Sequence, residues 1–72
     1  MPRPVMELVD SASIDAIGYD SAASELHVRF RSGSTYVYSD VPATTFDAFI
    51  TAPSIGRYFV LFIRPNYEYR DV

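Results

Sequence analysis

The most regular pattern in the chain lies over residues 25–31, where Leu26, Val28 and Phe30 alternate with His27, Arg29 and Arg31. A period of two marks a β-strand with one apolar and one charged face. Residues 14–19 read as a preceding strand with Ile17 and Tyr19 on one face, and Asp20 to Ser24 supply small, turn-favouring residues between the two. Ser32-Gly33 turns the chain again into residues 34–39, which carry Tyr36-x-Tyr38.

The length of that turn decides where the two tyrosines point, because a one-residue slip sends every side chain of a strand to the other face. With Ser32-Gly33 as a two-residue loop, Tyr36 faces Arg29 and the rings lie on the charged side. With Arg31-Ser32-Gly33 as a three-residue loop and Gly33 left-handed, Tyr36 faces Val28 and Tyr38 faces Leu26. A type I′ turn favours Asn-Gly or Asp-Gly, and serine fits a positive φ poorly, so the three-residue loop with a glycine bulge is favoured.

Downstream the period changes. Pro42 suits the start of a helix, and Phe46, Phe49 and Ile50 share one helical face until Pro53 ends the element. Residues 55–64 have the aromatic and β-branched content of a buried strand. Ser54 before them and Pro65 after them are helix punctuation, which favours a second helix with Ile55, Phe59, Phe62 and Ile63 on its buried stripe. Val60 and Leu61 then point away from that stripe. They need solvent, a second subunit, or the N-terminal Val5, Met6, Leu8 and Val9 as a neighbour, and they are the candidates for self-association. Residues 67–72 read as a last strand with a second Tyr-x-Tyr, Tyr67 and Tyr69, and with Arg70 on its other face.

These elements predict a single α+β domain over residues 8–72: an antiparallel sheet of three or four strands, two short helices on its apolar face, and a C-terminal strand. Pro2 and Pro4 make residues 1–7 a flexible N-terminal arm. A chain of 72 residues buries only about 60% of its extended surface. With no cysteine to form disulfides or thiolate metal sites, five Phe and six Tyr are the substitute source of cohesion. No signal peptide is visible and the longest apolar run, residues 58–63, is too short to span a membrane, so a cytoplasmic protein is expected.

Little in the chain suggests catalysis. His27 is the single histidine and sits on the polar face of a strand without co-ligands, so no metal site is expected. Ser11, Ser13, Asp15 and Asp20 read as turn and cap residues, and no glycine-rich phosphate loop exists. No catalytic residue and no cofactor are expected. The net charge of −3 opposes nucleic-acid binding by charge alone. All six cations are arginine, however, and they interleave with tyrosine: Arg29, Arg31, Tyr36, Tyr38, Tyr67, Tyr69 and Arg70. Rings flanked by guanidiniums form stacking platforms for single strands, and these seven residues are the candidate nucleic-acid or partner site.

Several fixed spacings agree at once with one family. Ile17-Gly18-Tyr19-Asp20, then Leu26-x-Val28-x-Phe30-x-x-Gly33-x-x-Tyr36-x-Tyr38-x-x-Val41-Pro42, then Ala52-x-Ser54-x-Gly56-x-Tyr58-Phe59 and Ile63-Arg64-x-x-Tyr67 resemble the KTSC domain, over nearly the whole chain. That family is a small bacterial and phage module, found also at the C-terminus of some lysyl-tRNA synthetases, with no established activity. The resemblance implies a stand-alone, non-enzymatic binding module and makes RNA a candidate ligand. It carries over no catalytic residues. The alternative is a protein-interaction or self-assembling, dimeric module, which the acidic charge and the Val60-Leu61 pair favour. The Val60-Leu61-Phe62 run departs from the polar residues the family usually has there.

Overall fold

The computed structural model describes residues 4–72, so the first three residues of the expected arm lie outside the described part. Five antiparallel strands form one sheet in sequence order: β1 (Glu7–Leu8), β2 (Ile14–Asp20), β3 (Glu25–Phe30), β4 (Thr35–Tyr38) and β5 (Tyr69–Asp71). Between β4 and β5 the chain leaves the sheet for α1 (Ala43–Ile50) and α2 (Ile55–Tyr58), and α2 runs on into a π-helical turn, Phe59–Ile63.

The hairpin β3–β4 sets the geometry. Leu26 pairs with Tyr38, Val28 with Tyr36 and Arg29 with Thr35. The Gly33 amide donates to the Phe30 carbonyl at 2.9 Å, the Phe30 amide donates to the Ser34 carbonyl at 2.8 Å, and Gly33 has φ of +100°. That is the three-residue loop with a left-handed glycine, and it turns both tyrosines toward the apolar face. On β2, a bulge at Asp15 lets Ile14 return to the apolar face opposite Phe30, while Ile17 and Tyr19 lie opposite Val28 and Leu26.

Two helices cover this inner face. Phe49 is fully buried, with Phe46 and Ile50 packed partly beside it. Tyr19 stacks on Phe46 at 4.9 Å between ring centres, and its hydroxyl donates to the Val41 carbonyl at 2.6 Å. Ser54 caps α2 by accepting from the Arg57 amide at 3.3 Å. Ile55, Phe59 and Ile63 then reach the core formed by Ile14, Ile17, Leu26, Val28, Tyr38, Val41 and Phe49.

Three expectations change. The sheet has five strands rather than three or four, because the two residues of β1 pair Glu7 with Ile17 and Leu8 with Ala16. The apolar Val5, Met6, Leu8 and Val9 leave open in the sequence an edge strand or simple packing on the core, and a strand of two residues, held by backbone bonds, has no hydrophobic period that decides between them. Glu7, placed by the sequence reading in the arm, therefore belongs to the sheet. Met6 and Val5 fold over the outer face: a Cβ on Gly18 would stand 2.7 Å from the Met6 sulfur and 2.8 Å from the Val5 carbonyl oxygen. Finally, Phe62 is 51% exposed rather than on the buried stripe. The Arg64 amide reaches back five residues to the Phe59 carbonyl at 2.9 Å, and this wider turn aligns Phe59 with Ile63 while rotating Phe62 outward.

Two predictions follow from this packing. Gly33→Ala meets no steric clash, since nothing lies within 4 Å of an added Cβ. Its cost is purely conformational, on the order of 1 kcal/mol, read as a lower urea midpoint at unchanged slope. The Tyr38 phenol is held above the usual tyrosine range, chiefly by burial and then by neighbouring Tyr69. Its contribution is complete below pH 10.0, where the unfolded phenol also stays neutral, and is lost as pH rises through the folded value. Urea midpoints on either side of pH 10 should fall less in Tyr38→Phe than in the parent protein; an equal fall refutes the assignment.

Candidate binding face

The sheet separates the candidate residues into two groups. Alternation sends His27, Arg29, Thr35 and Arg70 to the outer face, around a hollow of about 260 Å³ that Met6, Val37 and Val72 complete. Both arginines there are committed. Arg29 Nε donates to Asp15 Oδ2 at 2.9 Å, a partner presented by the β2 bulge. Arg70 holds Glu25 with both terminal nitrogens, at 2.9 and 3.2 Å. The Glu25 carboxyl lies below its usual range mainly because it accepts these bonds, and Arg70 lies above its own range for the same reason. Both ion pairs are largely exposed and hold the face together more by geometry than by energy.

Tyr36, Tyr38 and Tyr69 lie on the opposite, inner face. The helical segment covers Tyr38 and reaches Phe30, on which Phe59 packs edge-on at 5.4 Å, and it leaves the β5 end of the sheet open. Rings continue without a gap across that end: Phe30 to Tyr36 at 5.4 Å, Tyr36 to Tyr69 at 5.0 Å, Tyr69 to Tyr38 at 5.4 Å, and Tyr38 to Phe59 at 5.6 Å. Tyr38 is the buried anchor, 2% exposed, and Tyr69 is the exposed end, at 58%. Such offset and edge-on pairs hold aromatic clusters in fixed orientations.

Two adjoining hollows lie along this ring cluster and share Phe30 and Tyr36. One, of about 290 Å³, is lined by Tyr38, Phe59, Tyr69 and Arg64. The other, of about 440 Å³, is lined by Ser13, Arg31, Ser32 and Ser34. Arg31 is oriented by its Nε, which donates to the Ser11 carbonyl at 2.7 Å. Among the described residues, neither Arg31 nor Arg64 is in an ion pair. Register places Asp71 opposite Tyr36, so one carboxylate shares the face.

The seven candidates therefore do not form one surface. Arg31, Tyr36, Tyr38 and Tyr69 converge. Arg29 and Arg70 stand on the other side of the sheet. Tyr67 precedes β5 and turns toward α1, where its hydroxyl lies 3.4 Å from Thr45 Oγ1. Sequence reasoning missed Phe30 and Arg64. Phe30 shares strand parity with Val28 and Leu26, so it reads as core, and Phe59 does pack edge-on against it at 5.4 Å; its position just before the turn was the signal that part of its ring would stay open. Arg64 directly follows the helical segment, and from there it lines the hollow beside Tyr36, Tyr38 and Tyr69.

Val60, Leu61 and Phe62 are 53%, 51% and 51% exposed. The N-terminal segment does not cover them: Met6 lies over the outer face, and Val5 and Leu8 are 86% and 78% exposed. Among the described residues no helix is long and apolar enough to cross a membrane.

Comparisons with known proteins bear on the family and the fold. The model of the KTSC domain matches residues 10–67. A protein of Tsukamurella paurometabola is 40% identical over 63 residues, covering 88% of this chain and 94% of its own. A lysine–tRNA ligase of Trichormus variabilis is 37% identical over 86 residues, a stretch covering 97% of this chain and only 15% of the ligase. The crystal structure of a KTSC domain protein from Yersinia pestis superposes with a TM-score of 0.93 at 33% identity, covering 97% of this chain and 99% of that one. On sequence and on backbone alike, this chain belongs to the KTSC domain family.

Proposed function

We propose that the chain is a small non-enzymatic binding module that takes single-stranded RNA on the open aromatic edge of its inner face. The observation that carries this reading is the unbroken set of rings from Phe30, which Phe59 covers edge-on, through half-buried Tyr36 to exposed Tyr69, bordered by Arg31 and Arg64. Base stacking on aromatic side chains is worth about 1–3 kcal/mol per base and tolerates any sequence. Guanidiniums outside ion pairs are suited to phosphate oxygens. The ligase relatives carry a homologous stretch inside an enzyme named for tRNA, which favours RNA among possible ligands. The net charge of −3 and Asp71 on the same face keep the binding weak.

The test is fluorescence anisotropy with labelled oligo(U) at low salt. Tyr69→Ala and Arg64→Glu should each weaken binding about tenfold, the loss of a stacking contact or an ionic one. Arg29→Glu, on the outer face, should change little. Affinity should fall steeply with salt. Absence of binding by the parent protein, or binding indifferent to salt, refutes the reading.

A protein contact is the second reading, favoured by the three consecutive exposed side chains Val60, Leu61 and Phe62 beside a hollow of about 230 Å³ lined by Ala52, Pro53 and Tyr58. Contiguous exposed apolar surface of this kind marks interaction sites, and two-fold self-association is the commonest arrangement. Light scattering should then show a dimer that Leu61→Lys dissociates without unfolding. A parent protein that stays monomeric at high concentration rules this out.

A further inference from the structure

We propose that the serine-lined hollow beside the rings reads the ribose 2′-hydroxyl, so that the module prefers RNA to DNA of the same sequence. The inference rests on the single-strand reading above and adds what that reading leaves open, since aromatic stacking alone does not distinguish the two sugars.

The geometry joins the two hollows through one pair of rings. Phe30 and Tyr36 form one wall of the aromatic hollow and one wall of the larger hollow of about 440 Å³. A base stacked against Tyr36 and Tyr69 therefore has its sugar, or that of its neighbour, beside Ser13, Ser32 and Ser34. Each serine hydroxyl is both donor and acceptor, as is a 2′-hydroxyl. Among the described residues none of these three hydroxyls has a hydrogen-bond partner within the protein, so each remains available to a ligand.

The backbone that carries them is held in place. The Arg31 amide donates to the Ser13 carbonyl at 3.0 Å, the Phe30 amide to the Ser34 carbonyl at 2.8 Å, and the Gly33 amide to the Phe30 carbonyl at 2.9 Å. Preorganised groups lose less freedom on binding. Arg31 borders the same hollow with its Nε on the Ser11 carbonyl, and its terminal nitrogens have no ion-pair partner among the described residues.

The experiment compares oligo(rU), oligo(dU) and 2′-O-methyl oligo(U) of one length by anisotropy at low salt. The parent protein should favour oligo(rU) by roughly three- to tenfold, the range expected for one or two neutral hydrogen bonds. The 2′-O-methyl strand, which keeps an acceptor oxygen but has lost its donor, should bind more weakly than oligo(rU). Combined Ser13→Ala, Ser32→Ala and Ser34→Ala should equalise RNA and DNA while leaving binding to oligo(dU) unchanged. If that variant does not fold, Ser32→Ala alone, at an exposed turn position, should narrow the ratio. Equal affinity of the parent for the RNA and DNA strands, with binding still weakened in Tyr69→Ala, overturns the sugar assignment and leaves the single-strand reading standing. A preference that survives the serine changes also overturns it. Binding to none of the three strands overturns both.

Discussion

The register of the β3–β4 hairpin is the constraint on which the rest depends. One residue more or fewer between Phe30 and Ser34 would exchange the faces of Tyr36 and Val37 and of Tyr38 and Ser39. Gly33 prevents this by taking a φ of +100°, which a serine or arginine at the same place would adopt only under strain. With that turn, Tyr38 enters the core against Phe59 and Tyr36 meets both Phe30 and Tyr69. The same parity places Val37 on the outer face, where it is 1% exposed, beside Arg70 and His27 around the hollow that Met6 helps to line. A single backbone torsion thus assigns the aromatic residues to one side of the sheet and the ion pairs to the other.

The open aromatic edge is a consequence of size. An eight-residue helix is about 12 Å long, whereas the molecule extends 30 Å along its longest axis. Two such short elements protect the rows nearest β2, Phe59 reaching as far as Phe30, and stop short of the β5 edge, where Tyr69 is exposed. The π-helical turn adds a second consequence. By keeping Phe59 and Ile63 on the core while rotating Phe62 outward, it leaves three adjacent apolar side chains at the surface. Both uncovered regions follow from a core too small to use all of its aromatic and aliphatic residues, and each is a natural contact surface.

Charge is distributed in keeping with this division. On the outer face each arginine has a carboxylate, Arg29 with Asp15 and Arg70 with Glu25. On the inner face Arg31 and Arg64 border the rings without one among the described residues. An overall charge of −3 therefore conceals a local arrangement in which both arginines beside the rings are outside ion pairs. Composition averages over faces that a ligand meets one at a time.

Most of the architecture was legible in the chain itself, because the features that specify it are local. Alternation over residues 25–31, the poor fit of Ser32 to a positive φ, Ser54 as a helix cap and Pro53 as a stop each act within a few residues of their own position. The family pattern is legible for the same reason, as a set of fixed spacings. What the chain could not reveal depends on residues far apart in sequence. The pairing of Glu7 with Ile17 needs the whole of β2 as a template. The separation of Arg29 and Arg70 from the tyrosines needs all three strands in register. The recruitment of Arg64 to rings on β4 and β5 needs the helical segment to end where it does. Local sequence determined which way each side chain points along its own strand or helix; only tertiary packing decided which of those side chains share a surface, because that depends on long-range register and on how far two short helices reach.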